Sequence, residues 1–392
     1  MNDMNIAGRA AIAGLGATEF SKNSGRTELR LAMEAVLAAL ADAGIDPSEV
    51  EGFSSYTMDK VPEYEIARLL GCKNVKFFSQ IPHGGGAACA PLVHAAMAVA
   101  TGLAKTVVVF RAMNERSWYR FGTGDYGFGA TPIFENVNYG WYMPYGFHTP
   151  AAWVGMFAQR YMHTYGATTE DFGRVSVAVR DFAATNPAAF FYGKPITLEE
   201  HQASKWIAEP LRLLDCCQES DGAVAMVITS VERARDLKQK PVLIKAGSQG
   251  ITEGQQSMTS YYRDDITGLP EMGVVAKELY AQSGLGPDAF QTAVIYDHFS
   301  PFVLPQLEEF GFCKRGEAKD FVRAGHHARG GTLPINTHGG QLGEAYIHGM
   351  NGVAEAVRQV RGTAANQVAG VENVLVTAGT GVPTSGLILG CA

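Results

Sequence analysis

Between Asn336 and Gly352 the chain reads Asn-Thr-His-Gly-Gly-Gln-Leu-Gly-Glu-Ala-Tyr-Ile-His-Gly-Met-Asn-Gly, a polar, glycine-rich stretch in a region otherwise patterned as packed core. Asn336, His338, Tyr346 and His348 are hydrogen-bonding side chains, and the pair Gly339-Gly340 allows close approach of backbone to a ligand. A second concentration, Val294-Ile-Tyr-Asp-His-Phe-Ser300, sets Tyr296, Asp297 and His298 side by side. Phenols, imidazoles and carboxyls of this kind do general acid–base work, and backbone N–H groups at helix starts hold developing negative charge. Metal chemistry has no such support, because no HxxxH or comparable ligand spacing occurs. His326-His327 reads as a solvated turn and Asp264-Asp265 as a surface loop pair. The six cysteines, Cys72, Cys89, Cys216, Cys217, Cys313 and Cys391, are scattered without a CxxC. They read as reduced thiols of a cytoplasmic protein, most of them buried small residues.

The elements that must position these residues alternate. Ala10–Gly16 is a strand-like run, and Thr27–Ala43 has apolar residues at helical spacing behind a capping threonine. Strands are expected at 52–56 and 75–78, with a helix at 63–70 between them. His83-Gly-Gly-Gly86 opens an apolar helix ending near Gly102, and Thr106-Val-Val-Val-Phe110 is a buried strand. After a β-rich run at 221–229 and a short linker at 238–241 the alternation restarts. Strands are expected at 242–247, 292–296, 373–378 and 386–390, with helices at 273–282, 302–310 and 348–361. The pattern predicts a layered α/β fold. Its halves mirror each other: Gly84-Gly-Gly86, helix and strand 106–110 correspond to Gly339-Gly340, helix and strand 373–378. The expected division is 1–238 and 239–392, with a loop domain at about 113–210 inserted in the first half. Within it, aromatics and glycines crowd Trp118–Phe147, which reads either as an irregular surface insertion or as a cap over a bulky apolar ligand.

A net charge of −7 offers no basic footprint for nucleic acid. No apolar stretch approaches the ~20 residues that span a bilayer, since the richest, Ala87–Ala100, contains Pro91 and His94. The amino terminus lacks the cationic start of a signal peptide.

Taken together, these motifs resemble the thiolase superfamily, and within it the sterol-carrier-type thiolases, over essentially the whole chain. Tyr296-Asp-His-Phe299 resembles that branch's His-Asp-Cys-Phe segment, and Asn336–Gly352 resembles its Asn-x-x-Gly-Gly…Gly-His-Pro-x-Gly-x-x-Gly segment. The resemblance implies an αβαβα thiolase fold of two duplicated halves. It also exposes departures. Gly85 stands where the nucleophilic cysteine opens its helix, with Cys89 one turn deeper. Tyr346 and Tyr296 replace the two motif histidines, and the second catalytic cysteine falls near Thr377, with Gly379 and Gly381 retained.

Acyl transfer needs a thiolate to carry the acyl group. Retro-aldol cleavage does not: a β-hydroxyl loses its proton, a ketone leaves, and the thioester enolate is reprotonated at carbon. That substitution pattern resembles the bacterial steroid side-chain aldolases, also called lipid-transfer proteins. The resemblance implies cleavage of a steroid β-hydroxyacyl-CoA, of the 17-hydroxy-20-carboxyl-CoA type, to a ring ketone and a short acyl-CoA such as propionyl-CoA. No cofactor is implied, since coenzyme A belongs to the substrate. A homodimer is implied, joined to a small zinc-ribbon/OB-fold partner that holds the only zinc. In these terms Tyr296 and Tyr346 are the proton-transfer pair, and His298, His338 and His348 supply donors or positive charge. Asp297 orients the network, Gly85 and Gly379 offer backbone N–H groups to the thioester oxygen, and Asn336, Gly339, Gly340 and His348 contact substrate. Two alternatives stand beside this reading: a thiolase using Cys89, and a non-catalytic acyl-CoA or sterol-binding scaffold.

Overall fold

The computed structural model describes residues 6–118, 120, 140–256, 260–380 and 383–392. Its strands are β1 (Ala10–Ala17), β2 (Gly52–Tyr56), β3 (Phe77–Ile81), β4 (Thr106–Asn114), a small hairpin β5 (Trp206–Ala208) and β6 (Leu211–Arg212), β7 (Asp221–Ser230), β8 (Val242–Gly250), β9 (Thr292–Val294), β10 (Asn373–Thr377) and β11 (Thr384–Cys391). Apart from the hairpin they form one sheet in the order β3-β2-β4-β7-β1-β8-β11-β10-β9.

Duplication is visible in the pairing. Outward from the seam between β1 and β8, where Ala11 faces Leu243, each side repeats two antiparallel pairings followed by parallel ones. On one side β1–β7 and β7–β4 are antiparallel, and β4–β2 and β2–β3 parallel. On the other, β8–β11 and β11–β10 are antiparallel and β10–β9 parallel, and a parallel bridge from Ala293 to Ile335 stands where β3 stands in the first half.

Five layers follow from which residues each sheet face buries. Val107 and Val109 point into one apolar cluster and Val108 and Phe110 into another, so β4 is covered on both faces. The shared central cluster contains the helices Ala90–Ala100 and Met350–Arg361. The helix Glu28–Ala43 covers the outer face of the first half and Pro270–Ser283 that of the second. The result is the αβαβα arrangement of the thiolase fold. Alanine dominates Ala90–Ala100 because that helix is enclosed between sheets, and larger side chains would hold the layers apart.

Several expected bounds shift: the strand expected at 292–296 ends at Val294, the helix expected at 273–282 starts at Pro270, and the strand expected at 242–247 runs on to Gly250. Strand β3 begins at Phe77, not Val75, because the Lys76 and Phe77 N–H groups both turn to the Glu51 carbonyl, at 2.7 and 3.2 Å. The helix expected from His83 starts only at Ala90. His83 has φ +73°, and Gly85–Ala87 forms a single 3₁₀ turn in front of Pro91. His327, expected on a solvated turn, is 2% exposed, with Nε2 at 3.2 Å from the Arg174 carbonyl.

Between β4 and β7 the helices Pro150–Tyr165 and Thr169–Thr185 pack onto the second half. Phe157, Tyr161, Val175 and Val179 share a cluster with Phe299, Phe302 and Leu342. Of the aromatic stretch 118–147, residues 119 and 121–139 lie outside the described residues, as does Gly381. Trp141, Tyr142, Tyr145 and Phe147 line an open apolar hollow of about 400 Å³ with Met156, Tyr261 and Tyr262. Among the described residues no helix is long and apolar enough to cross a membrane.

Candidate active site

Tyr296 lies just past the end of β9, and side chains clamp its backbone and that of Ile295 before it. Asn336 accepts the Ile295 N–H on Oδ1 at 2.9 Å and donates Nδ2 to the Ile295 carbonyl at 2.7 Å. Thr377 Oγ1 accepts the Tyr296 N–H at 2.9 Å and donates to Gln306 Oε1 at 2.6 Å. Gln306 Nε2 in turn donates to the Tyr296 carbonyl at 2.7 Å. Fully buried and with φ +52°, Asn336 spends its amide on this clamp. The amide expected from sequence to contact substrate is thus engaged with the backbone that precedes the tyrosine.

The glycine pair has a similar structural role. A Cβ on Gly339 would fall 2.5 Å from that of Ala183, and one on Gly340 would run into the Asp297 carboxyl. Asp297 Oδ1 accepts the Gln341 N–H at 2.8 Å. Burial pushes this acid up to about 7, opposed by the backbone N–H groups of Gln341 and Leu342. Asp297 thus braces the turn that leads to Tyr346, while Gly339 packs closely on Ala183 and Gly340 on the Asp297 carboxyl.

The two tyrosines meet. Tyr296 Oη–H donates to Tyr346 Oη at 3.4 Å, a long bond between partners that a substrate oxygen could bridge. Tyr296 is 2% exposed, whereas Tyr346 is the half-buried member and opens to the surface. Burial raises both phenols well above their usual value, helped at Tyr296 by Tyr346 and at Tyr346 by Cys217 and Glu115. Both are therefore hydroxyl donors at neutral pH.

Gly85 stands against this pair. A Cβ built there would collide with the Tyr296 hydroxyl, so a side chain at 85 and the tyrosine at 296 exclude each other. Gly379 does not donate to a ligand as expected: its N–H is engaged with the Gly85 carbonyl at 2.8 Å, and its Cα face packs on the Tyr296 ring. Cys89 is no nucleophile either. It is 0% exposed, its Sγ–H points at the Val376 carbonyl at 3.7 Å, and burial pushes its thiol far up.

Nor do the histidines supply positive charge. His298 stacks on Phe302 with ring centroids 5.3 Å apart and meets Tyr296 edge-on at 4.9 Å. Burial drives His298 and His338 down to about 3, and Arg358 adds to the effect at His338. His338 lies against Gly352 of the second-half central helix, its Nε2 4.0 Å from a Glu344 carboxyl oxygen. Of the three histidines His348 stands against Tyr346. Its ring meets that of Tyr346 edge-on at 5.1 Å. Its Nδ1 accepts from Arg111 Nε and Nη2 at 3.2 and 3.1 Å, which puts the ring proton on Nε2, the edge lying against Gly84.

Arg111 was missed from sequence, although an arginine inside Val-Val-Val-Phe-Arg is itself a signal. Its Nη1 bonds Asp59 Oδ1 at 2.6 Å in a buried ion pair, and its charge draws the Tyr346 phenol down. Also missed was the segment 215–220, which bridges both motifs. Cys217 N–H donates to the His298 carbonyl at 2.8 Å, and Gln218 N–H to the Gln341 carbonyl at 3.3 Å. Ser220 Oγ accepts the Tyr346 N–H at 3.1 Å.

Comparison with known proteins agrees with this geometry. Residues 252–390 match the family model described as thiolase C-terminal domain-like. The chain is 63% identical over 385 residues to a steroid side-chain-cleaving aldolase of Thermomonospora curvata, covering 98% of each. It is 64% identical over 385 residues to a 17-hydroxy-3-oxo-4-pregnene-20-carboxyl-CoA lyase of Mycobacterium tuberculosis, covering 98% of this chain and 100% of that one. A solved structure described as the Ltp2-ChsH2(DUF35) aldolase superposes with a TM-score of 0.94 at 62% identity, covering 98% of both chains. With a phenol where the thiolase nucleophile would begin, and with relatives of this identity over nearly its full length, the chain belongs to the steroid side-chain-cleaving aldolases of the thiolase fold.

Proposed function

We propose that the protein cleaves the side chain of a steroid β-hydroxyacyl-CoA, of the 17-hydroxy-20-carboxyl-CoA type, to a ring ketone and a short acyl-CoA such as propionyl-CoA. One observation carries the reading: the Tyr296 hydroxyl fills the space that a nucleophile's Cβ at position 85 would need. A site so built has no place to store an acyl group, and it presents two phenols to a reacting oxygen. In the cleavage the hydroxyl O–H and the Cα–Cβ bond break and the ketone C=O forms. The electron pair passes into the thioester enolate, and a proton then adds at carbon. Hydroxyl donors aimed at the enolate oxygen stabilise that charge. The balance consumes nothing, so the reaction as proposed uses no cofactor.

Replacing Tyr346 with Phe tests this. Against a panel of steroidal β-hydroxyacyl-CoAs, release of acyl-CoA should fall by ~10²–10⁴-fold, the range for losing one acid–base group. Unchanged cleavage by the variant sinks the reading. Cleavage of no thioester by the wild type favours a binding scaffold.

The working unit we propose is a homodimer bound to a small zinc-ribbon/OB-fold partner in the bacterial cytoplasm. The compound description of the solved relative, Ltp2-ChsH2(DUF35), supports a second component, and six free cysteines suit a reducing compartment. Light scattering checks the dimer. Full activity of the chain purified alone would rule out an obligatory partner.

A further inference from the structure

Two raised phenols can donate protons, yet neither readily accepts the one that must leave the substrate hydroxyl at neutral pH. A group able to hold that proton is required, and the structure supplies one outside the two motifs. Glu115 follows the last residue of β4 and is 4% exposed, and its Oε2 has no hydrogen-bond partner among the described residues. An orphaned carboxylate oxygen at that depth is costly and calls for a reason.

Its placement gives one. Asn114 faces Asp221 in the β4–β7 register, so Glu115 and Ser220 stand opposite each other one step further on. Ser220 is the residue whose Oγ holds the Tyr346 backbone at 3.1 Å. Both flanks of Glu115 are pinned. The Asn114 amide donates to the Arg26 carbonyl at 2.7 Å, and the Arg116 and Ser117 N–H groups donate to Asp221 Oδ1 at 3.1 and 3.0 Å. The chain on either side of the carboxyl is thus fixed, and its charge is felt at both phenols.

We propose that Glu115 is the proton acceptor serving the tyrosine pair: it takes, through Tyr346, the proton leaving the substrate hydroxyl and returns it for the enolate carbon. One O–H bond is exchanged for one C–H bond, and Glu115 ends the cycle as it began. It acts through the phenols, so it positions the proton and leaves the substrate to others. The groups around it raise the carboxyl well above the usual carboxylate range. Burial and then Glu219 oppose its charge, while the Ser220 N–H, Arg111 and Lys22 favour it; Cys217 and the two tyrosines complete the surroundings.

The inference rests on the retro-aldol reading, and the test separates the two. Wild type, Glu115→Gln and Glu115→Asp, each with the partner protein present, are assayed for kcat and KM on a steroidal β-hydroxyacyl-CoA from pH 5.5 to 9, with a thermal melt of each. Glu115→Gln should lower kcat by ~10²–10³-fold with KM within about threefold, and should lose the acid limb that the wild type shows. It should melt no lower than wild type, because burial and Glu219 both oppose a charge at 115. Glu115→Asp should recover part of kcat with a displaced acid limb. If Glu115→Gln fails to fold, the aspartate variant decides: an unchanged acid limb overturns the proposal. A glutamine variant within about threefold of wild-type kcat overturns it too, and leaves the cleavage reading standing. A wild type that cleaves no such thioester overturns both.

Discussion

Replacing Gly85 with alanine puts a methyl group where the Tyr296 hydroxyl stands. The tyrosine has little freedom to yield. Its backbone is pinned by Thr377 and Gln306 at 2.9 and 2.7 Å, and its ring is flanked by Gly349 and Gly379, where an added Cβ would come within 2.8 and 3.0 Å. Relief of the overlap requires a displacement on the order of 1 Å, so the stability cost should fall at about 1–3 kcal/mol, as for an overpacked core. A shift of that size in a reacting group costs about 10²-fold in rate. Gly85→Ala should therefore lose acyl-CoA release by at least ~10²-fold while remaining folded. The assay is a double-mutant cycle by denaturant melts and steady-state kinetics. In a Tyr296→Ala background the same methyl enters vacated space, and a coupling of about 1–3 kcal/mol should appear, with activity still absent. Equal cost of Gly85→Ala in both backgrounds, or a single variant within about threefold of wild-type kcat, would refute the mutual exclusion of side chain 85 and Tyr296.

Three further outcomes follow from the same geometry. Asn336→Ala strands the Ile295 N–H and carbonyl in the core and should destabilise by about 1–3 kcal/mol with a fall in kcat; a melt indistinguishable from wild type would show the clamp to be idle. Cys89→Ala should cleave within about twofold of wild type, whereas a tenfold loss would revive the thiolase reading. His298 is held neutral, with its folded pKa depressed from 6.5 to about 3, so the stability it lends is present above 6.5 and lost as pH falls toward 3. His298→Phe keeps the stack on Phe302 and should flatten the acid side of a melting-temperature profile between pH 7 and 4; parallel profiles would contradict this.

Much of the scaffold was legible in the order of residues. Strand β2 at 52–56 and the helix at 63–70 follow from local patterning, and the repeat of glycines, helix and strand in each half announced the duplicated sheet. The resemblance of 294–300 and 336–352 to thiolase motifs singled out Tyr296 and Tyr346, because their identities are written in the chain whatever they touch. What the other motif residues do was not legible. Asn336, Gly339 and Gly340 resemble ligand contacts in sequence, but the first bonds backbone and the glycines pack on Ala183 and Asp297; His298 and His338 lose their charge to burial, which no spacing reports. Asp59, Arg111 and His348 come from three distant segments, and only the tertiary fold brings them together beside Tyr346. Sheet register also sets Glu115 opposite Ser220, one residue beyond the Asn114–Asp221 pair. Sequence by itself determined the layered halves and the two phenols, since periodicity and residue type are local properties. Tertiary structure alone decided that Tyr296 occupies the space a nucleophile at 85 would need, because that exclusion is a contact between residues 211 positions apart (296 less 85).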